Sequence, residues 1–162
     1  MITIRELEKK ELAIFRKIII KSETYNSLHI DLNGSPFNWY GDPKLDWDIL
    51  LEDNTPCGIL LSRLVNNNYH LHCINIDSKY QKHGFGKELM KYHWRKGIER
   101  NSKLDSYTLH VDISNHHAIS FYKKLGYVPY DEADPIQERS GIEDWVNNCK
   151  NNNCLLYTSD AA

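Results

Sequence analysis

The sequence predicts one domain of the mixed α/β class. Its 162 residues are enough for a single compact domain with a buried core, but not for two domains of ordinary size. Segments with apolar residues at every second position, typical of strands, are interspersed with segments whose apolar residues recur at helical spacing. A hairpin pattern near the middle adds strand pairing. We therefore expect one sheet with packed helices, and one active site.

Composition excludes several classes of function. A net charge of -2 and a pI of about 6.4 provide no broad attraction to nucleic acid or to an anionic membrane. No apolar run approaches the ~20 residues of a spanning helix, and Met1–Glu11 is too charged for a signal peptide. The histidines and cysteines lack zinc-ligand spacing, so we expect no metal. We expect a cytoplasmic protein whose reduced, structural thiols are Cys57, Cys73, Cys149 and Cys154.

The N-terminal part predicts a strand, a helix and an aromatic loop. Ile2 and Ile4 alternate with polar residues as in a short strand. The helix is indicated by the spacing of Leu12, Phe15, Ile18 and Ile19. No period is clear from Ser22 to Lys44, where a loop typical of a substrate pocket contains Phe37, Trp39 and Tyr40.

Three strands are predicted next. Trp47–Leu51 and Cys57–Val65 form a hairpin around a polar turn, and Tyr69–Ile76 follows a second turn at Asn66–Asn68. In a regular strand the even positions of the third segment share one face, which begins polar and ends apolar: His70, His72, Ile74 and Ile76.

The second half alternates helices and strands. An amphipathic helix is predicted over Lys87–Arg100, starting immediately after Gly86, and a strand over Tyr107–Val111. Asn115 can cap a further helix, and Gly126 fits the left-handed position beyond its end. A strand over Tyr127–Tyr130 and a short helix through Ile142, Trp145 and Val146 complete the pattern.

The loop Gln81–Gly86 has the features of a phosphate site. It has the spacing Q-x-x-G-x-G and lies between a predicted strand and a predicted helix. At a helix start the first backbone N–H groups lack partners and the dipole is positive, so a bound anion is stabilised. A dinucleotide fingerprint would need a third glycine, and a Walker loop would need Ser or Thr where Glu88 stands.

This loop resembles the acetyl-CoA signature of the GNAT superfamily of N-acetyltransferases. Downstream, Asn115-x-x-Ala118-x-x-Phe121-Tyr122-x-x-Leu125-Gly126-Tyr127 resembles the second GNAT signature, and together the matches cover about a third of the chain. The resemblance implies a GNAT-type acyl-CoA N-acyltransferase fold, a mixed and mostly antiparallel sheet with helices on both faces. The strands at Tyr69–Ile76 and Tyr107–Val111 would splay apart to hold acetyl-CoA.

The resemblance also implies an activity and its residues. An acetyl group would pass from acetyl-CoA to a primary amine of a small molecule or peptide by direct attack on the thioester. Tyr122 would donate a proton to the coenzyme A sulfur, and His70 or His72 would act as the base. The implied cofactor contacts are Ile74, Asn75, Ile76, Gln81, Lys82, His83, Gly84, Phe85, Gly86, Lys87 and Asn115. The alternative is a non-catalytic acetyl-CoA sensor of the same fold, which needs no Tyr122.

The last nine residues, CLLYTSDAA, resemble the translated end of a transposon-derived sequencing adapter. We therefore expect one N-acetyltransferase domain over residues 1–153 and a non-native tail over residues 154–162. The natural C-terminus would then be missing. In the family the last strand inserts between those at Tyr107–Val111 and Tyr127–Tyr130, so we expect a truncated sheet with unpaired edges. Such edges favour poor solubility or dimerisation of a chain that is otherwise a monomer or homodimer.

Overall fold

A computed structural model describes residues 1–20, 39–129 and 154–160. The strands are β1 (Ile2–Glu6), β2 (Leu45–Glu52), β3 (Thr55–Val65), β4 (Asn68–Ile76), β5 (Ser106–Asp112), β6 (Val128–Pro129) and β7 (Cys154–Asp160). The α-helices are α1 (Leu12–Ile20), α2 (Phe85–Arg100) and α3 (His116–Lys124). Most of the predicted aromatic loop and the short helix predicted at Ile142–Val146 lie outside the described residues.

One seven-stranded sheet has the order β1-β2-β3-β4-β5-β7-β6. All neighbouring strands pair antiparallel except β4 and β5, which are parallel and connected through α2. The predicted mixed, mostly antiparallel sheet is therefore confirmed.

Helices cover both faces of the sheet, as expected. On one face, Leu89 and Met90 of α2 and Tyr122 of α3 join a core that continues into β4, β5 and β7. On the other face, Phe15 of α1 packs edge-on against Trp47 of β2, with ring centroids 5.0 Å apart. We call these the α2 face and the α1 face. Each fully buried large apolar side chain contributes about 1.5–3 kcal/mol to stability.

The two predicted turns are short and set the strand register. Asp53 and Asn54 both have positive φ angles, 47° and 67°, as a tight two-residue hairpin requires. The second turn is Asn66–Asn67, one residue shorter than predicted, and Asn68 already pairs with Val65. Counting back from that pair places Arg63 directly opposite His70.

The predicted common face of His70, His72, Ile74 and Ile76 is wrong, because β4 contains a bulge. Leu61 pairs with Cys73 and Ser62 pairs with Leu71, so His72 is the extra residue on β4. A bulge shifts the alternation by one residue and bends the strand. Ile74 and Ile76 consequently pack at the α2-face core, whereas Cys73 belongs to the core on the α1 face.

The structure also contradicts the expected truncation of the sheet. Cys154–Asp160 forms β7, which pairs with β5 along its length and with β6 at Val128 and Pro129. Tyr157 is 2% exposed within the α2-face core, so this segment packs as the last strand of the sheet. The domain boundary at residue 153 and the non-native origin of residues 154–162 stay predictions. The sheet edges that were expected to be unpaired at β5 and β6 are therefore covered.

Candidate active site

The parallel strands β4 and β5 separate halfway along their length. They pair only from Asn68↔Ser106 to Leu71↔Leu109, while β4 continues to Ile76 and β5 to Asp112. Separation begins at the bulged residue His72, where β4 bends. The predicted splay is confirmed. From His72 onward, the β5-facing edge of β4 has no strand partner among the residues that the structure describes.

The glycine loop lies at the end of the splayed part of β4. Gly84 is the N-cap of α2 with a φ of 78°, a left-handed conformation that favours glycine. The helix begins at Phe85, two residues earlier than predicted, so Gly86 lies within its first turn. Gln81 donates from Nε2 to the Ile76 carbonyl at 3.2 Å, which fixes the loop to the strand end. The start of the helix, whose first backbone N–H groups lack intrahelical partners, therefore follows a loop that is tied to the end of β4.

Gly86 allows Phe121 of α3 to pack closely against the start of α2. A Cβ atom at Gly86 would lie 3.4 Å from the ring of Phe121, tighter than most such contacts. No atom lies within 4 Å of the corresponding position at Gly84, so the loop is open on that side. Lys82, His83 and Lys87 are exposed, and the His83 ring stacks on buried Phe85 with centroids 5.6 Å apart.

Asn115 caps α3 as predicted. Its Oδ1 accepts a hydrogen bond from the Ala118 N–H at 3.2 Å, and Gly126 follows the helix with a φ of 97°. The single side-chain oxygen of Asn115 is therefore already hydrogen-bonded to the backbone of α3. Contact between Asn115 and a cofactor stays a prediction.

Tyr122 reaches from α3 toward the bulge. Burial raises the pKa of its phenol, and the neighbouring Tyr127 and Cys73 raise this pKa further. Cys73 directly follows the bulged His72, so the tyrosine lies where the strands begin to separate. Its hydroxyl forms no hydrogen bond with any described residue. A protonated phenol with an available hydroxyl is therefore present beside the splay.

Three histidines lie on the α1 face of β4 and β5. The His70 ring is 5.1 Å from that of His72 and 4.9 Å from that of His110. Burial lowers the pKa of His70 well below its usual value and lowers that of His72 to about 4. His70 Nδ1 lies 2.7 Å from Thr108 Oγ1. At neutral pH the imidazoles of His70 and His72 are therefore uncharged.

One residue of the aromatic loop lies close to these histidines. The Trp39 ring lies edge-on to His72, with centroids 6.3 Å apart. Tyr40, in contrast, donates to the Leu7 carbonyl at 2.9 Å and packs on Trp47. The α1 face beside the bulge thus has imidazole and indole rings, while the glycine loop lies beyond the strand end.

The structure brings together most of the predicted site residues. The loop that contains Gln81 is tied to the end of β4 at Ile76, and Tyr122 lies near Cys73 where the splay begins. Their joint role in binding stays a prediction. His70 is separated from the splay by the bulge and is only 2% exposed. Sequence reasoning missed Arg63, which the short hairpin places opposite His70. Among the described residues, no group of histidines, cysteines and carboxylates is arranged to hold a metal ion.

Comparison with solved structures identifies the same fold in known acetyltransferases. The ribosomal-protein-S18-alanine N-acetyltransferase of Escherichia coli superimposes with a TM-score of 0.75 at 18% identity, covering 100% of this chain and 95% of that one. The PaiA N-acetyltransferase of Thermoplasma acidophilum, solved with coenzyme A, has a TM-score of 0.71 at 16% identity and 99% coverage of both chains. A chimeric spermidine N-acetyltransferase from Vibrio cholerae has a TM-score of 0.68 at 16% identity, covering 99% and 95%. At these identities the likeness is one of fold.

The family follows from the sequence match. Residues 8–127, well over half of the chain, match the Acetyltransferase (GNAT) family. In the described part of the chain no helix is both long and apolar enough to cross a membrane. The chain belongs to the GNAT family of acetyltransferases, and it is by family an acyltransferase with acetyl-CoA as co-substrate.

Proposed function

We propose that this protein is an N-acetyltransferase that moves the acetyl group of acetyl-CoA to a primary amine of a small molecule or peptide. The observation that carries the proposal is the splay of β4 and β5, flanked by the glycine loop at one end and by Tyr122 at its origin. A phosphate-binding loop alone would suit many ligands. A glycine loop, an open strand edge and a tyrosine hydroxyl placed along the splay suit a long thioester co-substrate.

The described residues fit coenzyme A. Its pyrophosphate would bind the backbone N–H groups of Gln81–Lys87, where the start of α2 favours an anion and no side chain fills the space at Gly84. The amides of its pantetheine arm would pair with the open edge of β4 at Ile74–Ile76, as an added strand does. The side-chain nitrogen of Asn115 remains available as a donor at the start of α3.

When bound, acetyl-CoA supplies an acyl carbon that is activated as a thioester. Tyr122 lies beside the bulge, and its raised pKa keeps its hydroxyl protonated at neutral pH. The hydroxyl would donate this proton to the thiolate of coenzyme A as it leaves. A backbone N–H of the open β4 edge near Ile76 would stabilise the oxyanion, so that role needs no side chain.

His72 is the better placed of the two candidate bases. It is the bulged residue, whereas His70 is nearly inaccessible and its Nδ1 lies against Thr108. A pKa of about 4 makes His72 a weak base. We propose that its neutral imidazole accepts a hydrogen bond from the incoming amine and orients it, with the proton then passing to solvent.

The same proposal includes a cytoplasmic location and an oligomeric state of monomer or homodimer. Two thiols support a reducing compartment, because Cys57 and Cys73 are buried and unpaired with one another. Burial raises their pKa values to about 11 and about 12, which makes them poor nucleophiles.

The test is an acceptor screen that follows thiol release from acetyl-CoA. We expect release to depend on an added primary amine and to yield an N-acetyl product detectable by mass spectrometry. Amines blocked by prior acetylation are the matched controls. Acetyl-CoA binding without amine-dependent thiol release across amino acids, polyamines and peptides would contradict the proposal.

A further inference from the structure

A row of polar side chains crosses the sheet on the α1 face. Arg63 pairs with His70, His70 pairs with Thr108, and Thr108 pairs with Thr158 of β7. Directly paired residues point to the same side of a sheet, so the row is continuous across four strands. It lies just before the bulge at His72, where the splay begins.

Arg63 contributes a positive charge to this row that no carboxylate in the described part of the chain neutralises. Its Nε is buried without a hydrogen-bond partner, and the guanidinium forms no ion pair with a described carboxylate. The two aspartates of neighbouring β2 lie on the opposite face. There Asp46 is 3.3 Å from Arg100 and Asp48 is 2.8 Å from Lys96. A buried donor that lacks a partner costs free energy, and a ligand that accepts a hydrogen bond from Arg63 would recover that cost.

Neither the other members of the row nor the adjacent His72 offsets this charge. His70 and His72 are neutral, and the charge of Arg63 is one of the causes that lower their pKa values. Thr158 is 1% exposed, and neither its Oγ1 nor the His72 Nε2 has a hydrogen-bond partner within the described ranges. On β5, Asp112 lies at the far end of the strand and accepts from the Ser114 N–H at 2.9 Å. The row is thus polar, positive and incompletely bonded.

We propose that the acceptor amine carries an oxyanion group, a carboxylate or a phosphate, which Arg63 binds while the amine lies at the bulge. This inference rests on the proposed function and specifies its substrate class. A guanidinium matches either oxyanion through paired N–H donors. Arg63 lies opposite His70, so His72 is its diagonal neighbour on the adjacent strand, at about 7–8 Å between backbones. The long Arg63 side chain can shorten that distance. The two groups of the acceptor are therefore a few bonds apart, as in an α-amino acid or an aminoalkyl phosphate.

The experiment compares acceptors that differ only in the anion. Each L-amino acid is paired with its carboxamide, and phosphoethanolamine with ethanolamine. The two pairs show whether Arg63 binds a carboxylate or a phosphate. Both kcat/KM and binding to the coenzyme A-loaded protein are measured for the parent, Arg63→Gln, Arg63→Lys and Arg95→Gln. Arg95 is exposed on α2, so its substitution removes the same charge away from the row.

We expect at least one anionic acceptor to exceed its neutral partner by about 10- to 100-fold, mainly through KM. Arg63→Gln should abolish that preference, Arg63→Lys should restore part of it, and Arg95→Gln should retain it. The inference is overturned if no anionic amine binds better than its partner, or if Arg63→Gln weakens both partners equally. Arg63-dependent binding without turnover would support the inference while contradicting acetyl transfer.

Discussion

Replacing Tyr122 by phenylalanine is expected to lower kcat for acetyl transfer by about 10²- to 10⁴-fold, with acetyl-CoA affinity nearly unchanged. The substitution removes one oxygen from a buried ring and leaves its packing in the α2-face core. Because the hydroxyl has no described hydrogen-bond partner, its loss leaves no donor or acceptor unsatisfied. Turnover is measured as the rate of thiol release, and acetyl-CoA affinity is measured separately by calorimetry.

Tyr127→Phe is the matched control for this substitution. Tyr127 is 2% exposed and contacts Tyr122, but its hydroxyl accepts from Trp94 Nε1 at 3.0 Å, away from the bulge. We expect it to cost stability and to retain most of kcat. Full turnover by Tyr122→Phe would remove this residue from the mechanism. Loss of acetyl-CoA binding in that variant would instead assign Tyr122 to the binding site.

Tyr157→Ala is expected to destabilise the fold by about 3 to 5 kcal/mol, as other large aromatic truncations do in buried cores. Its side chain is 2% exposed in the α2-face core, and its backbone pairs with Leu109 and Pro129. Urea denaturation measures the change in the free energy of unfolding. A large loss would show that β7 is an integral strand.

Ser159→Ala is the control on the same strand. Ser159 is half-buried and pairs with Tyr107, so its truncation should change stability by well under 1 kcal/mol. Equal and negligible effects of the two substitutions would contradict the packing of β7. That result would favour the expectation from sequence that residues 154–162 are a non-native tail.

Local patterns predicted much of the fold. Two-residue polar turns separate runs of strand-forming residues, so the β2-β3-β4 meander could be read from the chain alone. The Q-x-x-G-x-G loop was placed correctly between β4 and α2, because glycine and helix-start signals are local. The start of α2 was misplaced by two residues, since Gly86 is a poor helix former and therefore suggests loop, although it lies in the first turn.

Non-local features could not be predicted in the same way. The bulge at His72 depends on how β3 and β4 pair, and strict alternation therefore assigned Ile74 and Ile76 to the wrong face. Arg63 was missed because an arginine in a strand appears ordinary until its partner is known. Counting residues from the Asn66–Asn67 turn would have placed it opposite His70. For β7, an unusual tail composition obscured a strand whose pairing partners lie far away in sequence.

The most direct test of the central claim, that the splayed strands and glycine loop bind acetyl-CoA, is calorimetric titration of acetyl-CoA into four proteins. These are the parent, Gly84→Glu, Gly86→Glu and the control Ser102→Glu, whose site is exposed beyond the other end of α2. Glutamate in the loop adds negative charge where the pyrophosphate would bind, and at Gly86 its Cβ would crowd Phe121. We predict micromolar binding by the parent and Ser102→Glu, and no binding by either loop variant. Absence of binding by a folded parent, or undiminished binding by both loop variants, would contradict the claim.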